Sequence, residues 1–98
     1  MTRDALIAAL KRSRPALEAE GATSLFIYGS RARGDHREDS DVDILVDYDP
    51  NKKFSLLDLA GIKLVIEARL GLEAHVTARS SLYPSLSATI EQQAIRVF

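Results

Sequence analysis

Apolar residues recur every three or four positions at the start of the chain, then gather into short runs, and that switch divides it into elements. Ala5, Leu6, Ala9 and Leu10 share one helical face and Thr2 stands as an N-cap, so a helix is predicted over 2–12. Pro15 lacks an amide and disfavours helical geometry at Arg14, which breaks the helix near Ser13. A short second helix follows over 15–20 and ends at Gly21. Leu25-Phe26-Ile27-Tyr28 is the buried part of a strand over 24–28 that stops at a tight turn, Gly29-Ser30. The stretch 31–40 is too polar for a core and reads as loop.

A second strand is predicted over 41–47, apolar on its inner positions and acidic at its start. Tyr48-Asp49-Pro50-Asn51 has turn chemistry, and the Lys52-Lys53 pair faces water. A long helix over 55–70 opens on Ser55 with Asp58 at the capping-box position and stops at Gly71. Leu56, Leu59, Ile62, Lys63, Ile66 and Leu70 form a mainly apolar stripe, whose leucines and isoleucines are assigned to the core. A third strand over 72–77, a helix over 85–94 and a short last strand over 95–98 complete the pattern. The apolar ending, Val97-Phe98, is either tucked into the sheet or a surface for a partner in a homo- or hetero-oligomer.

These elements predict an α/β fold, a small mixed β-sheet packed with helices, with the functional site at one sheet edge. At 98 residues the chain fits a single domain over 1–98, without room for a separate substrate-binding module. The composition, 46% hydrophobic and 28% charged, is that of an ordinary globular domain. With 13 basic and 14 acidic residues the net charge is −1, so nucleic acid and acidic membrane are not expected partners. Cysteine is absent, which excludes disulfides and thiolate zinc sites. No apolar run is long enough to span a bilayer and no signal peptide opens the chain, so a cytoplasmic location is expected.

The candidate chemistry lies between Tyr28 and Val46. In an extended strand Asp41 and Asp43 share one face, with alpha carbons about 6.5–7 Å apart, so two carboxylates converge on one cation or a close pair of cations. Like charges side by side repel, so a purely structural reason for the pair is hard to find. Oxygen ligands without cysteine favour magnesium or manganese over zinc. Upstream, Gly29 lets the backbone approach a ligand, Ser30 offers a hydroxyl, and the amides that follow suit an anion, which together make a phosphate cradle. Arg31 and Arg33 add positive charge beside it, and Gly34 releases the chain from the turn. Several polar residues read as solvated instead: Lys11, Arg12 and Arg14 on the first helices, and Asp35, His36, Glu38 and Asp39 in the loop. Asp47 is too far along the strand to serve the same ion, and Glu67 lies on the long helix.

Gly29-Ser30 followed at this spacing by Asp41-x-Asp43 resembles the nucleotidyltransferase superfamily that includes DNA polymerase beta. The wording Gly-Ser-Arg-Ala-Arg-Gly and Ser-Asp-Val-Asp-Ile-Leu-Val, in so short a chain, is most similar to the minimal nucleotidyltransferases, the MNT-domain proteins often paired with HEPN-domain toxins. The resemblance implies a polymerase beta-like fold, with Asp41 and Asp43 as catalytic metal ligands for magnesium and Gly29 and Ser30 on the β- and γ-phosphates. Arg31 or Arg33 would assist the phosphates. The implied reaction transfers a nucleoside monophosphate with loss of pyrophosphate. On this resemblance the donor is ATP, the acceptor a tyrosine hydroxyl of a HEPN toxin, and this chain the antitoxin.

One position departs from the family. Its third acidic residue falls on the third strand, where this chain has His75. His75 is either a ligand or site contact or a packing residue, and Glu73, on the same strand face, reads as an exposed strand residue. The departure motivates an alternative, a catalytically weakened module that neutralises its toxin by contact. A third alternative is a transferase for a small hydroxylated molecule.

Overall fold

The computed structural model describes residues 1–98. Helix α1, Arg3–Arg12, begins as its sequence predicts: Thr2 Oγ1 accepts the Ala5 amide at 3.1 Å. Ser13 separates it from α2, Arg14–Ala19, which takes in Arg14 ahead of Pro15 and ends a residue short of the predicted boundary. Strand β1, Ser24–Tyr28, is followed by a difference from expectation: Gly29–Arg33 is a short helix, α3, not the start of a loop. Gly29 at φ 71 turns the chain sharply enough to begin it, and Gly34 at φ 85 ends it.

Strand β2, Val42–Asp47, leads through α4, Leu56–Leu70, to β3, Ala74–Ala78. The capping box at the start of α4 is present: Asp58 Oδ2 accepts the Ser55 amide at 2.7 Å, and Ser55 Oγ accepts the Leu57 amide at 3.2 Å. A single turn of 3₁₀ helix, Arg79–Ser81, then α5, Pro84–Gln93, and β4, Ile95–Arg96, complete the chain. No helix is long and apolar enough to cross a membrane.

The four strands form one mixed sheet in the order β3-β2-β1-β4. β1 runs antiparallel to both β2 and β4, whereas β2 and β3 are parallel and therefore need α4 as their crossover. One face of the sheet carries Leu25, Ile27, Ile44, Val46 and Ala74 into a core shared with Leu6, Leu10, Leu17, Ile62 and Ile66 of the helices. The opposite face carries Phe26, Tyr28, Asp43, Leu45, Asp47, His75 and Thr77, by the alternation of the strands. α5 shields only one end of it, around Phe26, Leu45 and Arg96.

The chain end is tucked in: Val97 is buried, its amide bonds Leu25 O at 2.8 Å, and Phe98 O accepts the Leu25 amide at 3.0 Å. The apolar stripe of α4 is narrower than its sequence suggests. Ile62 and Ile66 are fully buried, but Leu56 is 82% exposed, as are Leu57 at 83% and Leu64 at 65%. The helix is apolar around most of its circumference and only one stripe can meet the sheet, so assigning Leu56 to the core is corrected. Lys63, within that stripe, instead reaches sideways to Ala74 O at 2.7 Å and Glu67 Oε2 at 2.8 Å, and Glu67 accepts the Ala74 amide at 2.9 Å. Together they fasten α4 to the first residue of β3.

Candidate active site

Register brings the site together. Tyr28 on β1 pairs with Asp43 on β2, and Asp43 pairs with His75 on β3, so three side chains stand in a row across the open face. Asp43 lies against the backbone of Gly29. A Cβ at position 29 would collide with Asp43 Oδ2, so glycine is required there twice, by contact and by its positive φ. The turn and the aspartate strand are thus one constellation.

Burial pushes the Asp43 carboxyl above its ordinary range; His75 works against that shift, Asp41 adds to it, and Arg33 opposes it. Tyr28 beside it is also raised, first by burial, with Thr77 lowering it and the Asp43 charge raising it. A partly desolvated carboxylate crowded by a second one is an environment that a divalent cation would relieve. No three His, Asp or Glu side chains are grouped so as to hold an ion unaided. That suits magnesium or manganese, which keep waters and substrate phosphates among their ligands, and the two-carboxylate oxygen set with the glycine-lined approach fits such an ion.

Asp41 lies one residue before β2, and its carboxylate turns toward β3, where Oδ2 accepts a hydrogen bond from His75 Nε2 at 2.7 Å. His75 is therefore a site contact, the first of the two readings its sequence leaves open. Glu73 is exposed, and its backbone carbonyl accepts the Val42 amide at 2.9 Å.

The two arginines separate. Arg33 stays exposed: its guanidinium bonds Asp35 Oδ2 at 3.2 Å and Gln93 Oε1 at 3.4 Å, and its charge acts on Asp43. Arg31 does not. It is 0% exposed, and its guanidinium donates to the carbonyls of Ser40 at 2.9 and 3.3 Å, Glu38 at 3.2 Å, Arg37 at 3.4 Å and Met1 at 3.3 Å. Its expected place beside the phosphates is corrected, because the loop that delivers Asp41 folds around it. In a short helix residues two apart diverge, so Arg31 and Arg33 cannot face the same way. His36, expected in solvent, also belongs to this packing, donating from Nε2 to Met1 O at 2.9 Å. Asp47 is held by Arg79 in a two-pronged pair at 2.9 and 2.6 Å, away from any shared ion.

Tyr28 and the His75–Asp41 bond were not assigned from the sequence. The signal for both is strand pairing: once β1 and β3 are placed in register with β2, their alternation puts these side chains beside Asp43.

A model of the nucleotidyltransferase domain matches residues 9–97. A Methanocaldococcus jannaschii protein whose name points to protein adenylyl transfer is 40% identical over 83 residues, 85% of this chain and 87% of that protein. The protein adenylyltransferase MntA of Thermococcus cleftensis is 36% identical over 80 residues, 82% of this chain and 79% of its own. A minimal nucleotidyltransferase of known structure superposes with a TM-score of 0.82 at 34% identity, covering 97% of this chain and 95% of the other. The same fold occurs at 14% identity and a TM-score of 0.72 in a toxin–antitoxin crystal structure with AMP-PNP, covering 90% of this chain and 72% of that one.

Proposed function

Because this chain belongs to the nucleotidyltransferase-domain family, we propose that residues 1–98 act as a single cytoplasmic nucleotidyltransferase domain that moves AMP from ATP to a hydroxyl of a protein, a HEPN-domain toxin, and so serve as its antitoxin. The observation that carries the reading is the packing of Asp43 against Gly29, a carboxylate beside a backbone turn suited to phosphate oxygens. The names of relatives as protein adenylyltransferases support a protein acceptor. A toxin–antitoxin complex of this fold supports the partner.

In the transfer, the acceptor oxygen forms a bond to the α-phosphorus while the bond from that phosphorus to the β-bridging oxygen breaks. Pyrophosphate leaves with the electron pair of the broken bond, and the proton of the acceptor hydroxyl passes to solvent. Gly29 and Ser30 hold the terminal phosphates by backbone amides and hydroxyl, Arg33 adds a positive charge from the side, and Asp41 and Asp43 would hold a magnesium ion. The ion supplies neutralisation of the phosphate charge; the protein's part is to position the groups around it. Arg31 contributes by shaping the loop to Asp41, not by touching phosphate.

The test uses ATP labelled in its α-phosphate, magnesium and the co-expressed partner. Label on the partner that is lost with Asp43→Asn is expected; wild type that leaves the partner unlabelled with every nucleotide overturns the reading. The histidine at position 75, where the family carries its third acid, motivates a second reading, neutralisation by contact alone. It predicts that an Asp41→Asn, Asp43→Asn double variant still silences the toxin.

A further inference from the structure

The bond between His75 and Asp41 has no evident role in stability. Both side chains are well hydrated, 58% and 40% exposed, and an exposed polar pair of this kind holds a fold together only weakly. Nor is it the pairing that sheet geometry alone supplies. The register partner of His75 is Asp43, yet the imidazole reaches diagonally to Asp41, which lies just ahead of the strand.

Asp41 needs such a partner. Its neighbours on both sides are fixed: the Ser40 carbonyl is gripped by the Arg31 guanidinium, and the Val42 amide by Glu73 O at 2.9 Å. The backbone is therefore held, which leaves the rotamer of the side chain, 40% exposed, to be selected by the hydrogen bond it makes. His75 makes that selection. A carboxylate only accepts, so Nε2 is the donor, Oδ2 is committed to it, and Oδ1 is left for another partner. The imidazole also stands in the row with Asp43.

We propose that His75 is a positioning residue that orients Asp41 as a ligand of the divalent cation, from outside the ion's own coordination sphere. The inference rests on the metal-dependent reading of the site given above and adds to it a role for this chain's own histidine. Carboxylate ligands are commonly held by a hydrogen bond from outside the coordination sphere, and loss of such a partner lowers metal affinity about tenfold or more.

The test is titration of the whole chain with manganese(II) in the presence of a non-hydrolysable ATP analogue, read by electron paramagnetic resonance, for wild type, His75→Ala and His75→Gln. His75→Ala is expected to weaken manganese binding about tenfold. His75→Gln, which keeps an N–H donor on a side chain of similar reach, is expected to recover most of the loss. All three proteins should melt within a few degrees of one another, which a purely structural histidine would not allow. Unchanged affinity in His75→Ala overturns the inference and leaves the transferase reading standing. Spin-echo modulation from a directly bound imidazole nitrogen also overturns it, since His75 would then be a ligand. Wild type that takes up no manganese sinks both.

Discussion

Gly29 and Asp43 define each other. The backbone at position 29 is left-handed and its Cα faces a carboxylate, so Gly29→Ala meets a steric penalty and a clash together. The expected loss is about 1–2 kcal/mol for the backbone conformation alone, read by urea denaturation, with nucleotidyl transfer abolished because Asp43 is displaced. Arg31 carries a different weight. Replacing it by Met leaves the carbonyls of Ser40, Glu38, Arg37 and Met1 without their buried donor. A cost on the order of 3 kcal/mol in denaturant unfolding follows, with Arg31→Lys recovering little, since an ammonium cannot span the fork.

Asp43 couples the site to pH. Its carboxyl is raised in the fold, mainly by burial, so the unfolded chain gives up the proton first. In the metal-free protein the contribution of Asp43 is therefore most favourable below the ordinary value of 3.8, and that increment is lost as pH rises through the raised value. Asp43→Asn should remove this loss, raising stability at neutral pH by about 0.5 kcal/mol or less because solvent screens a half-exposed group. A thermal melt series over pH without divalent ions checks it; a variant less stable than wild type at neutral pH contradicts it.

Among the elements, α4 and the β2-β3 pair were the most and the least readable. The capping box Ser55/Asp58 and the stop at Gly71 are local signals, so both ends of the helix follow from sequence. Which of its apolar residues are buried does not, because Leu56, Leu57 and Leu64 have the same chemistry as Ile62 and Ile66. The contrast is measurable: Ile66→Ala should cost about 2–4 kcal/mol in unfolding free energy, whereas Leu57→Glu should change it by about 0.5 kcal/mol or less. For the strands, alternation marks the faces of each one alone. The parallel register that sets His75 beside Asp43 depends on how α4 returns the chain, which no short motif encodes.

Taken as a molecule, the protein has a core on one side of its sheet and chemistry on the other. The near-neutral charge, −1, gives it no field to attract polyanions, so no retardation of single- or double-stranded nucleic acid is expected at physiological salt in a gel-shift assay. The α/β class, most of the elements and the two-part Gly29-Ser30 and Asp41-x-Asp43 pattern were legible from the chain alone, because hydrophobic period, caps and short motifs act over a few residues. Only the folded chain decided that Arg31 is buried while Arg33 is exposed, that His75 bonds Asp41, and that Asp43 closes on Gly29. These relations join segments far apart in sequence through strand register and loop packing, and a side chain's neighbours across a sheet are set by that geometry rather than by its own type.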